Sequence, residues 1–340
     1  MTPASGQYQT ITEAPASPVA WPATRAIHPI PPAQVGALLR EHARVAAEQE
    51  TRLANARYRH IETVLDAKNK LFWCSMRPEG VPSFTHPMLA ELAHMQRSIR
   101  RLFDESAGSD VPVRHLVVAS QIPGIYSMGG DLGFFADRIR AGDRAALATY
   151  ARACIEVVYN NAVSLDLPIV TVALVQGDAL GGGFEAALSC NVIIAEKSAK
   201  LGLPEILFNL FPGMGAYSLL SRKLDRARAE RMILSGRIYS ATELYEMGLV
   251  DEVVENGEGV AAVRHYIARN ARYHRAHQSL CEVRRRVNPL TFSELRDVID
   301  VWVDAAMRLQ EPDLRKMERL MAAQRRRMLA LGNNQRAAAV

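Results

Sequence analysis

Two carboxylates stand where a solvated acid would not be placed. Glu185 closes the run Ala179-Leu180-Gly181-Gly182-Gly183-Phe184-Glu185, and Glu205 lies in Gly202-Leu203-Pro204-Glu205-Ile206-Leu207-Phe208. Apolar neighbours desolvate a carboxylate and raise its pKa toward the range where it exchanges protons near neutrality. Together they read as an acid/base pair. The competing reading, a first-turn glutamate held by a helix dipole, accounts for each residue singly but not for both beside a glycine run. The glycines add the complementary chemistry. They join the strand-like Pro168–Val175 to the helix-prone Phe184–Cys190, and backbone N–H groups at such a junction are unpaired and carry the positive end of the helix dipole. A second glycine loop, Ser127-Met128-Gly129-Gly130-Asp131-Leu132, follows the strand-like Arg114–Ser120. Amides of Gly182 and Gly130 aimed at one carbonyl oxygen would stabilise the enolate or tetrahedral oxyanion of a thioester. Because the donor is backbone, alanine at 182 should be tolerated better than proline. Asp131 reads as a cap or turn residue.

These three motifs, in this order and spacing, resemble the crotonase (enoyl-CoA hydratase/isomerase) superfamily over roughly residues 55 to 300. Within it, the runs Val175–Cys190 and Leu203–Tyr217 are similar to the diffusible signal factor synthases, which make cis-2-unsaturated fatty-acid quorum signals. The resemblance implies an α/β crotonase fold of stacked ββα units with a C-terminal helical trimerisation region. It implies that Glu185 and Glu205 are catalytic, that Gly130 and Gly182 form the oxyanion hole, and that Leu180, Met214 and Trp302 bind the acyl chain, for which an ordinary core role is the alternative. The expected activity is dehydration of a 3-hydroxyacyl thioester on acyl carrier protein, followed by thioester cleavage to a free cis-2-enoic acid. Glu205, flanked by aliphatic residues, is favoured as the acid, although the roles can be exchanged. Two alternatives stand: an enoyl-CoA hydratase acting on CoA thioesters, and a non-catalytic crotonase-fold protein that binds a partner or RNA. Expected partners are acyl carrier protein or a CoA thioester, further copies in a homotrimer or hexamer, and a regulatory sensor.

The remaining composition is compatible with that reading. The chain has 340 residues, is 49% hydrophobic and carries a net charge of +5, enough for one large core with appendages. Basic clusters at Arg97–Arg101, Arg284–Arg286 and Arg325–Arg327 are either solvated helix faces or docking sites for an acidic carrier. No aromatic-interleaved basic surface suggests nucleic acid. The four cysteines and nine histidines lack metal or triad spacing, so no metal and no cofactor are expected. No apolar run reaches membrane-spanning length and no signal-peptide pattern opens the chain, which points to a reduced, cytoplasmic protein.

Along the chain, residues 1–35, rich in Pro, Ala, Ser and Thr, read as a disordered tail, and 36–57 as an N-terminal helix. A core over 58–255 opens with a hairpin (58–65 and 70–76) and continues with strands at 114–120, 168–175 and 191–195 between helices at about 86–105 and 143–164. Short helices are expected at 215–222, 226–235 and 241–247, then an extended 249–254. C-terminal helices over 256–340 follow, with amphipathic segments at 292–309 and 312–330.

Overall fold

The computed structural model describes residues 57–106 and 111–338, with side chains as far as 330. The tail expected over 1–35 and all but Arg57 of the helix expected over 36–57 lie outside the described residues. The chain runs through β1 (Ile61–Asp66), β2 (Leu71–Met76), α1 (His86–Glu105), β3 (His115–Ser120), β4 (Gly124–Ser127), α2 (Leu132–Arg140), α3 (Arg144–Ala162), β5 (Val170–Val175), β6 (Gly177–Leu180) and α4 (Gly182–Leu188). It continues through β7 (Val192–Glu196), β8 (Lys200–Gly202), a 3-10 turn at Pro204–Phe208, α5 (Ala216–Lys223), α6 (Arg226–Ser235), β9 (Ile238–Ser240), α7 (Ala241–Glu246) and β10 (Glu252–Val254). Four helices end it: α8 (Gly259–Asn270), α9 (His274–Val287), α10 (Phe292–Ala306) and α11 (Glu311–Ala338). Among the described residues, no helix is long and apolar enough to cross a membrane.

The strands form two sheets. The larger has the order β1-β2-β3-β5-β7-β10, antiparallel at the β1–β2 hairpin and parallel thereafter. Every residue of β5 and β7 is buried, as a parallel strand covered on both faces requires. Strand alternation divides the core: Val172 and Leu174 face Val263 of α8, while Ala173 and Val175 join the main cluster with Leu92 and Ile99 of α1 and Leu147 and Ile155 of α3. The smaller sheet, β4-β6-β8-β9, has no counterpart in the sequence expectation. Its strands are three or four residues long and include Gly124, Gly177, Asp178, Lys200 and Gly202, so neither β propensity nor alternation marks them.

Helix α2 was likewise not expected, although its start signal is present. Asp131 caps it, accepting from the Phe134 amide at 3.0 Å; the cap reading of Asp131 is thus the geometric one, and the helix it starts was missed. Asp143, Asp225 and Thr291 cap α3, α6 and α10 in the same way, each accepting from the amide three residues on. Ser240 and Glu243 form a reciprocal capping box on α7. The consequence for function lies in how the two sheets meet. The smaller sheet delivers the chain from β4 into the Gly129-Gly130 loop and from β6 directly into Gly181-Gly182, side by side.

Candidate active site

Strand β6 pairs in parallel with β4 on one side and β8 on the other, so the loop following each strand opens on the same side. A Cβ built on Gly182 would lie 3.4 Å from the Gly130 amide nitrogen, and one on Gly129 would lie 2.9 Å from the Gly182 nitrogen. The two glycine loops therefore touch, which side chains at these positions would prevent. Neighbouring amides are already used: Phe184 and Glu185 donate to Gly181 O and Gly181 donates to Gly202 O. The Gly130 and Gly182 N–H groups have no hydrogen-bond partner among the described residues. Gly181, at φ +53°, turns the chain into α4, a backbone state that glycine adopts without strain.

Glu185 lies one turn into α4 and is 1% exposed. Its Oε1 accepts from the Ala216 amide at 2.8 Å, where α5 begins. Burial pushes its pKa well above the ordinary carboxylate range, and the nearby charge of Glu205 adds to this; the amides of Ala216 and Met214 oppose it. Glu205 sits in the 3-10 turn. Its Oε2 is shielded from solvent and has no partner, and burial pushes its pKa up to about 7. Two interacting buried carboxyls titrate as one system, and burial favours a proton held between them.

Both glutamates open onto one cavity of about 280 Å³, together with Gly130, Gly182, Leu180, Met214 and Trp302. The candidate residues from the sequence are thus gathered in one place. Trp302 packs edge-on against Phe135 with ring centroids 5.2 Å apart, and a Cβ on Gly213 would meet its indole at 2.5 Å. A Cβ on Gly182 would overlap Met214 Sδ, so alanine there displaces a cavity wall even though the amide survives.

Sequence reasoning missed much of the lining. Phe135, Tyr150 and Cys154 form the inner wall from α2 and α3, while Leu320, Ala323, Gln324 and Arg327 of α11 cover the cavity. Helix α11 is fastened there by pairs of Arg140 with Glu311 at 2.9 Å and Glu318 at 2.7 Å, and of Arg327 with Asp178 of β6 at 2.5 Å. Asp178 is only 4% exposed; burial raises its pKa and Arg327 opposes the shift. An aspartate just after the apolar run Pro168–Val175 was the available signal.

The basic clusters are in part structural. Arg100 donates to Leu165 O and Asn160 Oδ1, Arg285 to Val163 O, and Arg286 pairs with Glu282 at 2.6 Å. Arg284, Arg325 and Arg326 make no ion pair among the described residues.

The family described as enoyl-CoA hydratase/isomerase matches residues 76–291. The rat mitochondrial methylglutaconyl-CoA hydratase is 37% identical over 157 residues, 46% of this chain and 48% of that protein. The chain spans about half the length of such curated relatives. Among solved structures, Pseudomonas aeruginosa DspI is similar at 27% identity and a TM-score of 0.57, covering 74% of this chain and 90% of that one. Human mitochondrial delta3-delta2-enoyl-CoA isomerase matches in fold, with a TM-score of 0.64 at 20% identity over 79% of this chain and 99% of that one. The architecture is that of the crotonase fold, an α/β fold with mixed sheets and a C-terminal helical region.

Proposed function

Because the chain belongs to the enoyl-CoA hydratase/isomerase family, we propose that it dehydrates a 3-hydroxyacyl thioester, carried on acyl carrier protein, and then hydrolyses the product to a free cis-2-enoic acid. The observation that supports this reading is the opening of Glu185, Glu205 and the Gly130 and Gly182 amides onto one apolar cavity. A thioester carbonyl between those amides is polarised, which acidifies its α-proton. With its Oε1 accepting the Ala216 amide hydrogen, Glu185 takes that proton in the form of the coupled pair whose own proton sits on Glu205, although burial raises the pKa of both. Glu205, with no donor to its Oε2, carries the proton that goes to the departing 3-hydroxyl, and water leaves.

The same amides suit a second step. A carboxylate draws a proton from water, the oxygen attacks the thioester carbon, the tetrahedral oxyanion is held by Gly130 and Gly182, and the thiol departs protonated. The apolar lining, with Leu180, Met214 and Trp302 as acyl contacts, matches a hydrocarbon chain. Similarity of residues 175–190 and 203–217 to the signal synthases motivates the release step. Assembly as a homotrimer through the C-terminal helices belongs to the same proposal.

The curated relatives favour a second reading. Methylglutaconyl-CoA hydratases are similar over nearly half of this chain, and an enzyme of that kind would interconvert hydroxyacyl-CoA and enoyl-CoA without cleaving the thioester. Incubation with a medium-chain 3-hydroxyacyl carrier protein, followed by chromatography with mass detection, decides between them. Free cis-2-enoic acid is expected. Accumulation of trans-2-enoyl thioester on an acylated carrier would sink the signal-synthase reading in favour of the hydratase.

A further inference from the structure

A second cavity lies at the N-terminal end of the parallel strands of the large sheet. The glycine loops follow the C-terminal ends of β4 and β6, whereas this cavity gathers around the β1–β2 turn and the N-terminal ends of β2 and β3, where Leu71 and His115 are in register. It measures about 320 Å³ and is closed on its far side by α8 and the start of α9. That volume suits a small organic ligand.

Its floor is unusual. His115 and His274 are 3% and 8% exposed, with ring centroids 4.8 Å apart. Nδ1 of His115 and Nε2 of His274 are both buried without a hydrogen-bond partner, and buried polar groups are ordinarily satisfied. The rim is basic. Lys68, Arg114 and Arg264 line it, and none of the three makes an ion pair among the described residues. Asp66 is the one acidic group there; it accepts from the backbone and side-chain nitrogens of Asn69 at 3.1 and 2.7 Å, and Arg264 and Lys68 are near enough to help lower its pKa.

We propose that this cavity binds a small soluble phosphorylated molecule, with Arg114, Arg264 and Lys68 on the phosphoryl oxygens and the His115–His274 pair completing the contacts from below. Guanidinium groups are suited to planar, bidentate recognition of such oxygens. Both imidazoles are neutral at physiological pH, because burial lowers His115 to about 3 and His274 to about 4. A neutral imidazole presents one N–H and one lone pair, so a ring N–H turned to the cavity can donate to an anion without first taking up a proton. Among the described residues, no group of three ligating side chains could hold a metal ion, and the cationic rim disfavours one. The recessed floor favours a soluble molecule over a lipid headgroup.

The test is calorimetric titration of the full chain with pyrophosphate at constant ionic strength. Saturable one-to-one binding is expected, weakened at least tenfold in Arg114→Gln/Arg264→Gln, whose side chains are on exposed residues and whose folding is checked by circular dichroism. Nitrogen resonances of His115 and His274 should shift on binding. The proposal is overturned if the wild type shows no saturable binding, if the double variant binds equally well, or if those two histidines do not respond. A parallel titration with phosphatidic acid vesicles, tighter per phosphate than pyrophosphate, would also overturn it by identifying a membrane headgroup as the ligand.

Discussion

Glu205 Oε1 occupies the space that a β-carbon on Gly181 would need. The turn glycine and the candidate acid are thus two halves of one fit. Gly181→Ala should push the carboxylate out of place and also strain a backbone at φ +53°. We expect a loss of about 10²-fold or more in dehydration, comparable to removing a positioned acid. Steady-state kinetics on 3-hydroxyacyl thioester checks this; wild-type turnover would show that Glu205 does not need its present position.

Glu185→Gln and Glu205→Gln should each lower dehydration by about 10²–10⁴-fold. The double variant should be little worse than either single one, because both groups act in one step. Additive losses, or a single variant that turns over normally, would remove one residue from the mechanism.

The pair also predicts a pH response. Dehydration needs one carboxyl ionised and the other protonated, so the rate should peak near neutrality and fall on both sides. Stability should move in a fixed direction. Glu205 has a folded pKa of about 7, raised from 4.5 by burial, so between those values the folded state holds more protons than the unfolded state. Stability therefore declines as pH rises through that window. Glu205→Gln should match the wild type below pH 4.5 and be more stable above pH 7, by on the order of 3 kcal/mol. Thermal unfolding at pH 4 and pH 8 measures the difference, and the opposite sign would mean that the carboxyl is stabilised as the anion.

Gly182→Pro removes an amide donor and should cost about 10²–10³ in rate. Gly182→Ala keeps the donor but displaces Met214, so it should alter acyl-chain preference more than the rate on a short substrate. A folded Gly182→Pro enzyme with full activity would disprove the donor assignment.

The sequence made the large sheet and the reacting groups legible, and the physical reason is the same for both. Val170–Val175 is apolar because it is covered on both faces, and Glu185 stands out because its neighbours are apolar too. The small sheet was illegible because Gly177-Asp178-Ala179-Leu180 is held by its neighbours β4 and β8 rather than by propensity. The covering of the cavity was illegible for another reason: nothing in Leu320–Arg327 states which distant surface it meets. Only Asp178, a carboxylate close behind the apolar run Pro168–Val175, offered a sign of a cation arriving from elsewhere.

Arg327→Gln should therefore destabilise the protein by roughly 1–3 kcal/mol through the carboxylate left buried at position 178, and Asp178→Asn in the same chain should recover most of it. Urea unfolding of the single and double variants provides the cycle. Independent, additive losses would show that the contact contributes nothing.

Because α11 follows every other described element in the chain, the wall it provides is the last part of the cavity to be synthesised. Until Leu320–Arg327 dock, the cavity that holds Glu185 and Glu205 lacks that wall. The chemistry is then armed by a late event in the life of the chain. A change that keeps Leu320–Arg327 from docking would open the cavity without touching either glutamate.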